Sequence, residues 1–293
     1  MKTVLLFGGS GLVGSGIKQL LSDRYRIIAP AHDEVDVIRS DHVTAIIEQI
    51  QPNNIIYAVG LASIDRAEQE PELANLLNVK APALVAKVAA SFGIPLLYFS
   101  TNAVFDGTKK NRPYKETDKT NPKSGYGKSK LMGEQIVMNI SDKNYVVRFI
   151  MPYPTTPHKR KNFTWTILDA FKEGKEIYGI TDQVINPICV SDIAEAVHAL
   201  IATGAGGIYH LGATDYVTNI EFIKKLARIF NFNFNLIKEI SFEEFFRGKK
   251  APRTKFCWLD TLKIRKKIGN NILHTIDEGI LLFKKNLEKD TNS

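Results

Sequence analysis

The sequence predicts an α/β protein: a doubly wound parallel Rossmann sheet followed by a smaller, mainly helical C-terminal region. Three observations support this prediction. The chain opens with an apolar strand that runs directly into a glycine-rich turn and a helix, over residues 3–21. Apolar strands then alternate with helices as far as residue 149, as in a parallel sheet that has helices on both faces. After Pro152 the alternation stops, so we expect a first domain over residues 1–150 and a second region over 151–293.

The glycine-rich turn reads GGSGLVG at residues 8–14 and follows the first strand at once. This order of strand, glycine turn and helix is the context that a dinucleotide-binding fingerprint requires. Glycine lets the backbone approach a pyrophosphate closely, while the N-terminus of the next helix offers free N–H groups and a positive dipole end. We therefore predict that Gly8, Gly11, Leu12 and Val13 bind a dinucleotide. The alternative is a turn with a purely structural role.

The end of the second strand, residues 25–29, should lie beside the adenosine ribose of that dinucleotide. An acidic residue there is typical of NAD(H) sites, whereas this chain continues with Pro-Ala-His at 30–32. The missing carboxylate and the imidazole of His32 favour NADP(H), with NAD(H) as the alternative. His32 is either a ligand of the 2′-phosphate or a surface loop residue. Asp36 and Val37 follow in a position to meet the adenine.

Helices and strands continue to alternate up to the fourth strand. The predicted elements are a helix over 43–50, a strand over 55–59, helices over 64–68, 71–79 and 83–92, and a strand over 95–99. At the end of the third strand, Ala58, Val59 and Gly60 are expected to approach the cofactor, because glycine allows close contact with the backbone. Asn78, on the following helix pair, is a further predicted cofactor contact.

The second half of the chain is predicted from the same periodicities. The elements are a helix from Tyr126 through Val137, a strand over 144–149, a helix over 163–172, a strand over 184–190, a helix over 192–202, a strand over 208–211 and a helix over 219–230. We expect the strand over 184–190 to rejoin the main sheet. The remainder of the chain is expected to be mainly helical.

Composition limits the class of protein. No apolar run approaches membrane-spanning length, and the first one is interrupted by glycine at residue 8, too early for a secretory leader. Cys189 and Cys257 make no disulfide framework, which fits a cytoplasmic protein. The six histidines show no metal-ligand spacing, so no metal site is predicted.

The net charge is +8, and basic residues are dense over 247–267. This stretch is a docking surface for an anion such as a nucleotide diphosphate, a nucleic-acid site, or a solvated basic face. The chain lacks the interleaved aromatic and basic residues that mark an RNA-binding sheet. Nucleic acid is therefore not an expected partner.

The strongest candidates for chemistry follow the fourth strand. Tyr126 and Lys130 are four residues apart, so they share one face of a helix. A nearby ammonium stabilises a phenolate and lowers the pKa of tyrosine from its usual value of about 10. We predict that Thr101, Tyr126 and Lys130 are catalytic and transfer a proton beside the dinucleotide, which Tyr126 and Lys130 also contact. The alternatives are a half-buried structural tyrosine and a threonine that only ends a strand.

Several motifs occur together in the order of one known family. They are GGSGLVG at 8–14, YAVGLASIDRAEQEP at 57–71, FSTNAVF at 99–105, YKETD at 114–118, YGKSK at 126–130, KLMGE at 130–134 and DQVINP at 182–187. With these motifs the chain resembles the extended short-chain dehydrogenases/reductases, and it is most similar to the dTDP-4-dehydrorhamnose reductase family. The resemblance covers roughly residues 2–230.

The resemblance implies an NAD(P)H-dependent oxidoreductase that reduces the 4-keto group of a nucleotide-linked, dTDP-type deoxysugar. Hydride would pass to the carbonyl carbon, Tyr126 would protonate the emerging alkoxide, and Thr101 would donate a hydrogen bond to the same oxygen. The alternatives are a nucleotide-sugar epimerase or dehydratase, and a catalytically silent, cofactor-binding regulatory subunit. A nucleotide sugar is the expected partner, no membrane partner is expected, and a homodimer is compatible with this assignment.

The chain departs from the family pattern where the sugar would bind. Asn102 and Ala103 stand where the family has an acidic and then an aromatic residue, and residues 149–154 replace a Trp-centred segment. The residues expected to bind substrate are Asn102, Arg148, Phe163, Gln183 and Asn186. For Arg148 two roles are open, a phosphate ligand or the partner of a carboxylate. The basic residues at 158–161 either clamp a diphosphate or form a flexible loop.

Overall fold

The computed structural model describes residues 1–154, 162–204 and 206–291. The strands are β1 (Thr3–Phe7), β2 (Arg26–Ile28), β3 (Asn54–Tyr57), β4 (Leu96–Thr101), β5 (Tyr145–Phe149), β6 (Ile177–Ile180), β7 (Val184–Ile185), β8 (Gly207–Leu211), β9 (Val217–Thr218) and β10 (Ile237–Ile240). The helices are α1 (Leu12–Leu20), α2 (Ser40–Ile50), α3 (Ile64–Gln69), α4 (Pro71–Asn75), α5 (Ala81–Ser91), α6 (Gly125–Ile140), α7 (Phe163–Lys172), α8 (Val190–Thr203), α9 (Asn219–Phe230), α10 (Phe242–Phe245), α11 (Leu262–Ile268) and α12 (Ile276–Thr291).

The main sheet has six strands in the order β2-β1-β3-β4-β5-β8, and every pairing in it is parallel. Successive residues of β1 face opposite sides. Val4 and Leu6 pack with α1 and α8, whereas Leu5 and Phe7 pack with α2 and α5. A strand covered on both faces is apolar at every position, since neither face meets water. The predicted doubly wound sheet is therefore confirmed.

The prediction that a strand over 184–190 rejoins the main sheet is wrong. Only Val184–Ile185 is extended in a ladder, and it pairs antiparallel with Val217–Thr218 in a separate two-stranded sheet. Pro187 has no N–H to donate, and α8 begins soon afterwards, so the ladder cannot continue. The sixth strand of the main sheet is instead β8. The boundary at residue 150 stays a prediction, and the chain does return to the sheet after it.

The second region contains more strand than predicted. β6 and β10 form a short parallel sheet, and helices α7, α9 and α12 share one apolar cluster that includes Leu168, Phe222 and Phe283. Short strands of this kind carry little periodic signal, because four residues cover too few repeats to separate strand from helix. This region stands beyond the ends of β4 and β5 and supplies one wall of the site described below.

One helix of the described chain is longer and more apolar than the composition led us to expect. α4, a π-helical turn (Leu76–Lys80) and α5 run on as one 21-residue helix, Pro71–Ser91, whose mean hydropathy of 1.2 and length would allow it to cross a bilayer. An apolar run of that length was not expected. Ala81, Val85 and Ala89 of this helix are fully buried in the cluster beneath the sheet. Its apolar face is thus explained by packing in the core, and the cytoplasmic location stays a prediction.

Candidate active site

Close backbone approaches shape the glycine turn between β1 and α1. Gly8 has φ +89°, and a β-carbon there would lie 2.7 Å from the carbonyl carbon of Ala58. A β-carbon at Gly14 would collide with the carbonyl oxygen of Gly8. Helix α1 begins at Leu12 without a side-chain cap or an acidic residue in its first turn. Its first N–H groups are therefore available to an anion, as the dinucleotide prediction requires.

A cavity of about 340 Å³ lies where β1, β3 and β4 end. It is lined by these members of the predicted cofactor set: Gly11, Leu12, Val13, Ala58, Val59, Gly60, Asn78, Tyr126 and Lys130. Gly8, His32, Asp36 and Val37 are not part of this lining, and their role stays a prediction. Most of the predicted cofactor residues thus come together around one space, although no contact with a cofactor is tested.

Asn78 has a structural task in addition to its place in this cavity. Its side chain is fully buried, donates to the Leu61 carbonyl and to Ser129 Oγ (3.2 and 3.0 Å), and accepts the Leu61 N–H at 3.0 Å. These bonds fasten the loop after β3 to helix α6. Gly60 lies in that loop, and a β-carbon there would come 2.8 Å from Asn78 Oδ1 and 3.9 Å from Lys130 Nζ. Asn78 therefore sets how closely the loop approaches Lys130.

Lys130 is buried on α6, with Nζ 3.9 Å from the centroid of the Tyr98 ring. Burial lowers the pKa of Lys130 to about 7, and the negative charge of Glu134 opposes this shift. Near neutral pH the side chain is therefore protonated only in part. Burial also raises the pKa of Tyr126, and a hydrogen bond with Thr101 opposes this shift. The expectation that Lys130 lowers the pKa of the phenol is thus not met by the groups of the chain alone.

Lys130 should make the free energy of unfolding depend on pH. An ordinary lysine has a pKa of 10.5, and the folded value is about 7. Between these values the unfolded chain binds more protons, so stability rises with pH; below them both states are protonated and the penalty is constant. In urea titrations from neutral to mildly alkaline pH, we expect the free energy of unfolding of the wild type to rise relative to that of Lys130→Met. The difference should grow by at most about 1.4 kcal/mol per pH unit. Parallel curves would contradict a neutral buried lysine.

Ser100 is a site residue that the sequence did not single out. Its hydroxyl is buried at the end of β4, lines the smaller cavity, and has no hydrogen-bond partner among the described residues. A buried polar group without a partner costs about 1–3 kcal/mol, and such groups are rare in native folds. The Ser100 hydroxyl is therefore suited to a polar group of a ligand in this cavity. The sequence signal was weak, since a serine commonly ends a strand.

A second cavity of about 460 Å³ adjoins the first. It brings together the predicted residues Thr101, Asn102, Tyr126, Phe163 and Gln183. Its wall also includes these residues that the sequence analysis did not propose: Tyr178, Phe245, Phe246, Arg253 and Cys257. They follow no local motif, because they come from β6, from the end of α10 and from the segment 253–257. Tyr126 lines both cavities, so the phenol stands where they meet.

The segment that replaces the family's Trp-centred stretch forms part of this wall. Phe149, Ile150, Met151 and Pro152 line the second cavity, which makes its wall apolar next to Tyr126. Met151 has φ +44°, in the left-handed region that residues with a β-carbon seldom adopt. Strain of this kind is concentrated at functional sites. The altered segment is thus a formed part of the site and not a disordered replacement.

Two residues predicted to bind substrate form buried contacts within the protein, outside both cavities. Arg148 is buried against Glu134, with Nη2 2.6 Å from a carboxylate oxygen, and lines neither cavity. Of its two proposed roles, pairing with a carboxylate is the one observed. Asn186 is buried and hydrogen-bonds the Ala213 carbonyl and both backbone groups of Leu259. A polar side chain that deep must be satisfied by the protein, so Asn186 braces the second region and does not reach the cavity.

The basic stretch near the C-terminus is only partly a docking surface. Arg253 lines the larger cavity, and its Nη2 lies 2.7 Å from Asp65 on α3. Lys255 forms ion pairs with Asp182 and Glu243. Of these two cations, only Arg253 reaches the cavity wall. The basic segment 158–161, the other proposed diphosphate clamp, lies outside the described residues.

One group of metal-ligand types occurs in the described part of the chain. Cys189, Asp192 and His274 each place one ligand atom within 4.8 Å of the others. The buried Asp192 carboxylate already accepts both the backbone N–H and the ring Nδ1 of His274, at 2.7 and 2.6 Å. This arrangement ties the chain before α12 to α8.

Comparison with known proteins gives one consistent result. The profile of the RmlD substrate binding domain matches residues 1–280. The chain is 31% identical over 282 residues to a dTDP-4-dehydrorhamnose reductase of Aggregatibacter actinomycetemcomitans, which covers 92% of this chain and 94% of that protein. The crystal structure of dTDP-4-dehydrorhamnose reductase from Bacillus anthracis, in complex with NADP, is similar with a TM-score of 0.89 and 30% identity; 97% and 99% of the two chains are covered.

A relative with a different kind of name is also similar. The chain is 27% identical over 279 residues to methionine adenosyltransferase 2 subunit beta of Xenopus tropicalis, which covers 90% of this chain and 82% of that protein. The same fold thus occurs in proteins named as reductases and in one named as a subunit. The choice between a reductase and a subunit must therefore be argued from the residues of the site.

Proposed function

Because the chain belongs to the RmlD substrate binding domain family, within the extended short-chain dehydrogenases/reductases, we propose that it reduces the 4-keto group of a nucleotide-linked deoxysugar of the dTDP type. It is an oxidoreductase that uses NADP(H) and acts on a sugar keto group. The finer assignment, with Thr101, Tyr126 and Lys130 as the proton-transfer set, is part of the proposal. The observation that carries it is the position of the Tyr126 phenol on the boundary of the two cavities.

The residues of the smaller cavity suit a dinucleotide. The turn at Gly8 and Gly14 has no room for side chains, the N-terminus of α1 carries no acidic residue, and the Ser100 hydroxyl needs a partner. The turn and α1 would hold the phosphates. The reduced nicotinamide supplies a hydride when bound. The choice of NADP(H) is also supported near β2, where the Glu34 carboxylate accepts the N–H of Ala31 at 2.7 Å and so is turned toward its own loop.

The chain's residues hold and move the proton. Tyr126 is the acid that protonates the carbonyl oxygen of the substrate, and its raised pKa keeps it protonated at neutral pH. Thr101 shares a hydrogen bond with the phenol and stabilises it after the proton has left. Lys130, partly protonated near pH 7, can regain a proton easily and adds positive charge beside the phenolate. The apolar wall at 149–152 excludes water from the reacting oxygen.

The catalytically silent subunit remains as a second candidate, because a similar protein bears the name of a subunit and because Asn102 and Ala103 depart from the reductase pattern. Two features of the site argue against this candidate. Lys130 is buried at a cost in desolvation, and the Ser100 hydroxyl has no hydrogen-bond partner among the described residues. A scaffold gains nothing from either feature.

The assay follows NADPH absorbance with dTDP-linked 4-keto-deoxysugars. We expect oxidation of NADPH that depends on the sugar, and slower oxidation of NADH at equal concentration, because the residues directly after β2, at 29–32, include no carboxylate to bind a ribose 2′-hydroxyl. An epimerase would convert the sugar without net oxidation of added cofactor. A silent subunit would show a thermal shift with NADPH but no conversion of any sugar. Either of these two outcomes would overturn the proposal.

A further inference from the structure

The side chain after Thr101 connects two parts of the site. Asn102 lies on the short 3₁₀ turn Asn102–Val104 after β4, in the wall of the larger cavity. Its Oδ1 accepts a hydrogen bond from Thr101 Oγ1 at 3.2 Å. Its side chain also hydrogen-bonds the Cys257 thiol. Because Oδ1 is turned to the hydroxyl, the Nδ2 group is the part of the amide that faces the sulfur.

The remaining contacts of the Thr101 hydroxyl fix the direction of the chain of hydrogen bonds. Oγ1 accepts the backbone N–H of Ala103 at 3.1 Å and hydrogen-bonds the Tyr126 phenol. A hydroxyl has one proton to donate, and Asn102 receives it. The neutral phenol is therefore the donor in its bond with Thr101. The order of donation runs from Tyr126 to Thr101 to Asn102.

The two groups that extend from Thr101 on this side, the Asn102 amide and the Cys257 thiol beyond it, are uncharged. Cys257 is buried beside the carbonyls of Thr254 and Val184, at 3.7 and 3.9 Å, and burial raises the pKa of its thiol to about 11. The thiol is therefore neutral at physiological pH. The other titratable groups around the phenol are Lys130 and Glu134 on α6, Tyr98 on β4, Glu68 on α3, and the Arg253–Asp65 ion pair at the cavity wall.

We infer that Asn102 is a positioning residue for proton transfer, because it fixes the direction of the Thr101 hydroxyl and keeps negative charge away from the Tyr126 phenol. The inference rests on the proposed reductase function. A carboxylate at this position, as in the family pattern, accepts the Thr101 proton more strongly and places a like charge next to the forming phenolate. The neutral amide accepts the Thr101 proton more weakly than a carboxylate would, so Thr101 can redirect this proton to the phenolate after transfer. The departure from the pattern at residue 102 thus makes the phenol easier to ionise.

The first test measures the ionisation of Tyr126 without any substrate. Tyrosine labelled with ¹³C at Cζ reports each phenol by NMR, and the Tyr126 signal is the one that disappears in Tyr126→Phe. Asn102→Asp should raise the pKa of Tyr126 by roughly one to three units. Asn102→Ala should lower it, because the Thr101 proton is then free to bind the phenolate. These opposite directions separate positioning from a general loss of structure.

A charge-matched control lies in the same cavity. Asn219 lines the cavity wall, and its Oδ1 accepts the N–H of Ile180 at 3.0 Å, a contact that Asn219→Asp retains. The same added charge should there shift the pKa of Tyr126 by less than half as much as in Asn102→Asp. An unchanged Tyr126 titration in Asn102→Asp, an equal shift in Asn219→Asp, or shifts of the same sign in the Asp and Ala variants of Asn102 would each overturn the inference.

The second test uses turnover, where the wild type is active. The alkaline limb of the kcat/KM profile should move to higher pH in Asn102→Asp, because the phenol must be protonated to act as the acid. Asn102→Ala should lower kcat about tenfold, the value of one lost hydrogen bond, with no move of that limb to higher pH. If the wild type converts no sugar, the proposed function fails, while the NMR titration still decides the role of Asn102.

Discussion

Tyr126→Phe is expected to lower kcat/KM for the 4-keto sugar by at least about 10²-fold and up to about 10⁴-fold, the usual contribution of a positioned acid. Among the described residues that border both cavities, Tyr126 alone carries a hydroxyl. The substitution removes this oxygen and keeps the ring, which packs against the cluster of Leu61, Leu73 and Leu77. Stability and NADPH binding should therefore change little, so the loss should appear in kcat. The measurement is steady-state NADPH oxidation together with a melting curve.

Tyr216→Phe is the matched control for this loss. Tyr216 is 57% exposed, packs against Trp258 with the rings tilted at 46°, and lines neither of the two cavities. Tyr216→Phe removes the same phenolic oxygen at a position outside both cavities. Activity should stay within a factor of about two, because surface changes have small effects. Activity retained in Tyr126→Phe would remove the phenol from the mechanism. A drop that matches a loss of melting temperature would indicate a packing role.

The cofactor half could be predicted from sequence because its determinants are local. The turn at Gly8 to Gly14 follows β1 directly, and the residues after β3 must lie beside it, since neighbouring parallel strands end at one edge of the sheet. Strand order and strand ends therefore place most of the residues around one cavity. Ser100 escaped this argument, because a lack of hydrogen-bond partners is visible only when the surroundings are known.

The substrate half depends on contacts distant in sequence. Arg253 and Cys257 reach the cavity from the far end of the chain, and no spacing rule connects them with Thr101. Asn186 illustrates the reverse case. Its motif resembles that of the family, but its side chain is already hydrogen-bonded to backbone groups of Leu259 and Ala213. Burial and satisfaction of polar groups are properties of the folded chain, so a sequence pattern cannot separate a ligand from a brace.

Arg148→Met is expected to lower the free energy of unfolding by about 3–5 kcal/mol, the cost of leaving one partner of a buried ion pair alone. Arg148 and Glu134 are 3% and 2% exposed at their side chains, and Nε and Nη2 both bond the carboxylate. His210 is not expected to replace the lost charge, because burial, the largest cause of its lowered pKa, persists in the variant. Burial and the charge of Arg148 lower the pKa of His210 to about 3, and its Nδ1 contacts the Tyr114 carbonyl. Urea denaturation measures the change.

Two further variants distinguish a structural ion pair at Arg148 from a substrate ligand. Arg148→Met combined with Glu134→Leu removes both charges and should recover most of the lost stability, because well-packed apolar residues can replace a buried pair. Arg24→Met breaks a surface pair with Glu195 of similar length, 2.7 Å, and should cost less than about 1 kcal/mol. A substrate ligand would behave differently. It would raise KM for the nucleotide sugar with little loss of stability, and the double variant would not restore binding. Since Arg148 lines neither cavity, we expect the loss of stability with little change in KM.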